Sequence, residues 1–256
     1  MTPPLSDLAG LWRRSSIEWP DGRCDTATDV RWLQGARLFA DLRQPPPTPR
    51  ARGADGALDE CLRLAEQHGF AGHLTFDGRH FEWHRLIDFQ PPSGEADAGS
   101  LEWQDDVLIE RGRDRPYLER WHRARAERLD AIGGASLRDA ERGTRAMLLR
   151  AGENFAYVRD RAGPLPRGAT LAECVVGAAS LGAARALIDC EISLGRVSGG
   201  GWRIERSSLQ GRVGDTLILN WEDRRLGIAE HGANGRKTTK TWEILEFEAS
   251  PEVFRR

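Results

Sequence analysis

Apolar and polar residues alternate through Arg37, Leu38, Phe39, Ala40, Asp41 and Leu42, and Gln34-Gly35 just before them offers a tight turn. A period of two belongs to a strand with one buried face, so residues 29–43 predict a two-stranded hairpin. The prolines at 45 to 47 end the ladder, because proline has no N–H to donate. The period then changes. Leu58, Leu62 and Ala65 recur at helical spacing in DGALDECLRLAEQHG, and Gly69 predicts a left-handed cap at the helix end. Alternation resumes in GHLTFDGRHFEWHRLIDF, GSLEWQDDVLIERG and YLERW.

The second half of the chain follows the same order. RAMLLRAGENFAYVRDR predicts another hairpin, GPLP another proline stop, and TLAECVVGAASLGAARALID another helix, opened by Thr170 and Glu173 at capping-box spacing. Strands follow in CEISLGRV, GWRIERSSL, DTLILNW and KTWEILEF. One offset of about 120 residues carries Gly35 onto Gly152, Pro46 onto Pro164, Trp103 onto Trp221 and Trp121 onto Trp242, too long for a solenoid repeat and suited to a duplicated domain. The expected fold class is therefore mainly β: two similar antiparallel lobes, residues 1–127 and 128–256, each with one short helix, joined through HRARAERLDAIGGAS. Many short, half-polar strands suit closed barrels, since closure removes exposed edges.

Asp77-Gly78 between two alternating runs predicts a type I′ hairpin with Phe76 opposite Arg79 and His73 opposite Glu82. Residues two apart share a face. One face then carries His73, Thr75, His80, Glu82, His84 and Asp88, the other Leu74, Phe76, Phe81, Trp83, Ile87 and Phe89. Burying the aromatic face removes surface worth ~1.5–3 kcal/mol per large side chain, so the histidines are expected outside or toward the other lobe. His73, His80, His84 and Glu82 supply a sufficient zinc ligand set, and Glu82 and Asp88 a carboxylate pair for acid–base work. A solvated outer face is the preferred reading, since any one-sided sheet alternates in this way.

Composition narrows the classes. A formal net charge of −2 offers a polyanion no electrostatic footing, so no nucleic-acid partner is expected. Lys237 and Lys240 are the only lysines, both placed in a polar C-terminal loop, which disfavours Schiff-base chemistry, and GRKTT lacks the glycine of a phosphate loop. Arginine dominance fits a GC-rich, bacterial genome. Cys24, Cys61, Cys174 and Cys190 form no CxxC pair and read as free thiols. Cys24 beside Asp25 and Asp29 reads as a turn rather than a nucleophile, and Ser180 as a residue inside a helix. No apolar run is long enough to span a membrane, and MTPPLSDLAGLWRR lacks the pattern of a secretory signal, so the expected location is cytoplasmic. The arginine-rich stretch at 111–128 is interspersed with acids and reads as a solvated face.

GLW at Gly10 to Trp12 is similar to the Gly-x-Trp opening of lipocalins and other calycins. More specifically, WLQGARLFADLR followed downstream by TWEILEFEA resembles a fungal family of kinase-interacting cytosolic proteins built from two lipocalin-like barrels. The resemblance implies barrels whose interiors are lined by aromatic residues. Trp12, Trp32, Phe81, Trp83, Trp202 and Trp221 are the interior candidates, either lining a cavity or filling it. The expected function is a non-enzymatic binding protein that holds a small apolar ligand or docks a protein partner, with no cofactor. A haem would need His231, and zinc would need the 73–84 hairpin. The alternative is a metal-dependent enzyme or metalloprotein on that hairpin. A homodimer is left open.

Overall fold

The structure, a computed structural model, describes residues 1–47, 56–124, 131–199, 201–231, 237–248 and 251–254. The first barrel begins with β1 (Gly10–Glu18), beside whose far end the two-residue β2 (Cys24–Asp25) pairs without joining the ring. The ring continues through β3 (Asp29–Gln34), β4 (Leu38–Gln44), β5 (His68–Phe76), β6 (Phe81–Asp88), β7 (Ala98–Gln104), β8 (Val107–Gly112) and β9 (Leu118–Arg123). Neighbours are antiparallel, and β9 returns to β1, so the sheet closes. A second closed ring of eight follows: β10 (Ile132–Arg138), β11 (Arg145–Ala151), β12 (Asn154–Arg159), β13 (Glu191–Ser198), β14 (Gly201–Ser207), β15 (Thr216–Glu222), β16 (Arg225–His231) and β17 (Lys237–Phe247). The chain is thus mainly β, with two closed antiparallel barrels in the same strand order. The expected lobe boundary at 127/128 lies outside the described residues, and the predicted joining segment is shorter than expected, because residues 122–123 belong to β9 and residues 132–136 to β10.

The helical insertions stand at the same place in both rings, after the proline stops. Helix α1 (Gly56–Leu64) buries Cys61 and Leu64. The expected cap Gly69 lies in β5 instead, because the helix ends five residues earlier and Gln67 turns the chain back by donating to the Leu64 carbonyl. The single helix expected in the second half is two: α2 (Leu171–Val176), with the Thr170/Glu173 capping box formed, and α3 (Leu181–Ile188). Ser180 does not sit within a helix. It is the N-cap of α3 and accepts the Ala183 N–H, so the polar side chain that opens the second helix also marks the break.

The β5–β6 hairpin also departs from expectation. Asp77 accepts the N–H groups of Arg79 and His80, Gly78 takes φ +98°, and the loop holds four residues rather than two. Pairing is Phe76 with Phe81 and His73 with His84. A shift by two preserves the faces near the loop. Farther along, a bulge between Ala71 and Gly72 lets Leu86 slip and reverses them: Ile87 and Phe89 face the second barrel, while Asp88 sits opposite Phe70 on the inner side.

Three apolar clusters follow from this wiring. Trp12, Trp32, Phe39, Leu74, Phe81, Trp83, Leu108 and Trp121 fill the first barrel. Phe155, Tyr157, Trp202, Leu217, Ile228 and Trp242 fill the second. The third lies between the barrels, where the outer faces of β3–β6 meet those of β11–β13 and the three helices. Where β3, β4, β11 and β12 cross this layer they are buried on both sides, which explains the runs in which alternation fails, such as MLL at 147–149.

Candidate functional site

Both barrels are stoppered at the end where β1 and β10 begin. The N-terminal 3-10 turn Leu5–Leu8 covers the first, with the Trp12 indole donating to the Leu8 carbonyl at 2.7 Å and the Arg123 guanidinium 4.6 Å from the Trp12 ring. The C-terminal turn Pro251–Phe254 covers the second, where Phe254 stacks on Trp202 and Trp221. Access to either interior is therefore from the opposite ends, where β1 and β10 finish.

At that end the first barrel is sealed by charge. Arg43 pairs with Asp41 at 2.8 Å and approaches Glu119 at 3.6 Å; Glu119 in turn holds Arg14 at 2.6 Å. Arg85 lies 3.6 Å from the Phe70 centroid and pairs with Asp88 and Asp97. Glu110 accepts the Tyr117 hydroxyl at 2.6 Å and the Trp121 indole N–H at 3.0 Å. Burial, and then the charge of Glu119, push the Glu110 carboxyl well above the usual range. The residual space amounts to about 10 Å³, one water at most.

The matching end of the second barrel is open, with a cavity of about 400 Å³. Its walls come from the β10–β11 turn (Asp139, Arg142, Thr144), the end of β12 (Arg159), the α3–β13 junction (Asp189, Glu191), the β14–β15 connection (Arg212, Asp215) and the start of β17 (Thr238, Lys240, Trp242). Arg159 donates to Asp189 at 2.6 Å; Arg212 donates to Glu191 at 2.8 Å and to Asp215 at 2.7 Å. Burial opposes the Arg159 charge, but the hydrogen bond and charge of Asp189, with Glu191 beside them, raise its pKa above the usual arginine value. Asp139 accepts the N–H groups of Arg142 and Glu141, which lower its pKa with help from the charges of Arg142 and Lys240. Two buried donors on this wall, Trp242 Nε1 and Arg159 Nε, have no hydrogen-bond acceptor among the described residues. Trp242 is 2% exposed.

The residues singled out from the sequence fall elsewhere. Trp12, Trp32 and Trp83 pack ring against ring at 5.7 and 5.8 Å, with Phe81 buried in the same cluster; Trp202 and Trp221 pack around Phe254. They occupy the barrel interiors as packing. His73 and His84 stack at 4.6 Å on the outside of the first barrel, where Thr75 Oγ1 lies 2.8 Å from His84 Nε2 and Glu82 lies 3.4 Å from His84 Nδ1. Burial and the neighbouring His84 lower the His73 pKa. His80 turns to Asp77 in the loop at 3.9 Å. Among the described residues no three His, Cys, Asp or Glu converge as a metal set. Asp88 is committed to Arg85 on the other side of the sheet from Glu82. Cys24 is exposed, and the side chain of His231 lies outside the described residues. Lys240 is in β17 rather than a loop and lines the cavity.

No family model and no curated protein matches the chain. Among solved structures it is similar to an uncharacterized protein, YLR301w, from Saccharomyces cerevisiae, at 12% identity and a TM-score of 0.52, covering 93% of this chain and 98% of that one. The likeness is one of fold over the whole two-barrel length. A protein of unknown function of the DUF3598 family from Nostoc punctiforme aligns over 95% of this chain and 98% of its own, at 11% identity and a TM-score of 0.23. No helix among the described residues is long and apolar enough to cross a membrane.

Proposed function

We propose that the chain is a binding protein whose first barrel is a closed scaffold and whose second barrel takes a small polar molecule at its charged mouth. One observation carries the reading: the roughly 400 Å³ space is lined by Trp242 and Arg159, whose buried Nε1 and Nε N–H groups find no acceptor among the described residues. Buried donors are nearly always paired, and a donor left unmatched costs ~1–3 kcal/mol, which a ligand oxygen would recover. The size suits a small metabolite. An apolar ligand is disfavoured, because the aromatic residues that would line its pocket fill both interiors and the open space is ringed by ions.

The indole N–H resonances of ¹⁵N-tryptophan-labelled protein test this, with Trp242 assigned through Trp242→Phe. A panel of amino acids, sugars, carboxylates and phosphates is expected to contain members that shift the Trp242 resonance and leave that of Trp121 in place, while a fluorescent fatty acid does not saturate. A panel that moves no indole resonance would overturn the proposal.

A further inference from the structure

We infer that the molecule held at the second mouth carries an oxyanion, a phosphate or carboxylate group, and that the two copies of the duplication have diverged to create its site. This inference rests on the mouth being a binding site and adds the charge of what binds there.

The registers of the two barrels give the comparison. In the first, Trp103 pairs with Leu108 and Leu108 with Trp121; in the second, Trp221 pairs with Leu226 and Leu226 with Trp242. These ladders align residue by residue. Two positions toward the mouth, the first barrel pairs Glu110 with Glu119, and the second pairs Ile228 with Lys240. Two facing carboxylates have thus become one apolar residue and one cation.

Each change bears on the unmatched indole. In the first barrel Glu110 is the acceptor for Trp121, and in the second its place is taken by Ile228, fully buried and without an acceptor atom. Glu119, which anchors Arg14 and faces Arg43, is replaced by Lys240, while the cation across the barrel is kept, because Arg43 and Arg159 occupy corresponding positions at the ends of β4 and β12. The built-in carboxylates of the first barrel are gone, and the donors that served them remain. An oxyanion placed between Trp242, Arg159 and Lys240 would restore the missing acceptors and face cations on two sides.

The carboxylates still present do not oppose this. Asp189 is held by Arg159, Glu191 and Asp215 by Arg212, and Asp139 by backbone N–H groups of its own turn. Each is already engaged as an acceptor, whereas Trp242 Nε1 has no acceptor among the described residues and Arg159 Nε has Glu191 at 3.9 Å, beyond hydrogen-bond reach.

The probes are inorganic phosphate, citrate and glucose, titrated into the full chain with the Trp242 indole resonance as readout. Phosphate or citrate is expected to shift it with an affinity that falls as salt rises; which of the two binds more tightly separates a phosphate site from a carboxylate site. Lys240→Glu, which restores the residue of the first barrel, is expected to weaken that binding at least tenfold. Ile228→Glu is expected to abolish it and to move the Trp242 resonance toward that of Trp121 without any probe. Should Ile228→Glu fail to fold, Arg142→Glu on the exposed turn serves, with several-fold weaker binding expected. If glucose shifts the resonance and neither anion does, the mouth remains a binding site and the oxyanion inference is wrong. If anions bind equally well to wild type and Lys240→Glu, the inference is likewise overturned.

Discussion

Arg161 of the second barrel donates to the backbone carbonyl of Phe89 in the first at 2.7 Å, with its guanidinium 5.8 Å from the Phe89 ring. It also donates to the Asp88 carbonyl at 3.1 Å, and it is 7% exposed. Phe89 itself is buried in the apolar layer shared by both barrels. One side chain thus satisfies two strand-end carbonyls at the seam, on the edge opposite the Glu248 carboxylate, which accepts the N–H groups of Arg37 and Leu38. Arg161→Ala is expected to lower stability by ~2–3 kcal/mol, the cost of leaving buried carbonyls without a charged donor. Urea denaturation should show a lower midpoint and, since the apolar layer remains, still a single transition. A midpoint unchanged within error would mean that the seam does not depend on this contact.

Gly72 and Gly195 mark the same irregularity in the two barrels. Each sits at a bulge, in β5 against β6 and in β13 against β14. A Cβ on Gly72 would lie 1.8 Å from the His84 carbonyl oxygen, and one on Gly195 would lie 2.0 Å from that of Arg203. Backbone cannot yield as a flexible side chain does. Gly72→Ala and Gly195→Ala should each cost about 1–3 kcal/mol or more, in the range of overpacked cores. Gly163→Ala, with nothing within 4 Å of its added Cβ, should be neutral in the same thermal melts.

These bulges also show where the sequence was readable and where it was not. Most of the strands, the helix insertion after each proline stop and the offset of the two halves follow from period and punctuation, because one-sided strands must alternate; β10, whose residues 132–136 read as part of the joining segment, and β16 at Arg225–His231 do not. The reversal at Leu86 does not, since a bulge shifts the pairing by one residue and its trace in the sequence is a strand glycine, Gly72, which the period of two does not register. The break at Ser180 was legible as an N-cap but was masked by the helical spacing on either side. The charged mouth leaves its trace in the sequence as well: the offset that superposes Trp121 on Trp242 also places Glu119 on Lys240, a reversal of charge beside a shared tryptophan. Individual acids and arginines look like solvated surface, and only the register shows them meeting at one end of a ring.

The outer histidines give a further test. His73 and His84 stack face to face, and the other contacts of His84 are Thr75 and Glu82. Zinc needs three or four ligands converging at about 2.0–2.3 Å, and His80 points to its own loop. One equivalent of zinc is expected to leave the melting temperature unchanged, and His80→Ala with His84→Ala to behave as wild type in metal content. A stoichiometric metal lost in the double variant would instead establish the hairpin as a metal centre.

Glu110 contributes to the pH response of the first barrel. Its carboxyl is buried and pairs in register with Glu119, so its pKa lies well above the usual range although Tyr117 and Trp121 donate to it. A carboxyl whose folded pKa exceeds the unfolded value of about 4.3 holds its proton more tightly in the fold. The stability it contributes is complete below that unfolded value and is lost as pH rises through the folded pKa. Burial raises Asp41 and Asp88 as well, against the opposing charges of Arg43 and Arg85, so the wild-type slope has several sources. Glu110→Gln separates one of them, because the amide keeps an oxygen acceptor and cannot ionise. Unfolding free energies of wild type and variant, measured in urea from pH 5 to pH 9, should differ in favour of the variant by an amount that grows with pH. Parallel curves would show that Glu110 keeps the same protonation state in the folded and unfolded chain, and that the closed end of the first barrel tolerates two ionised carboxylates side by side.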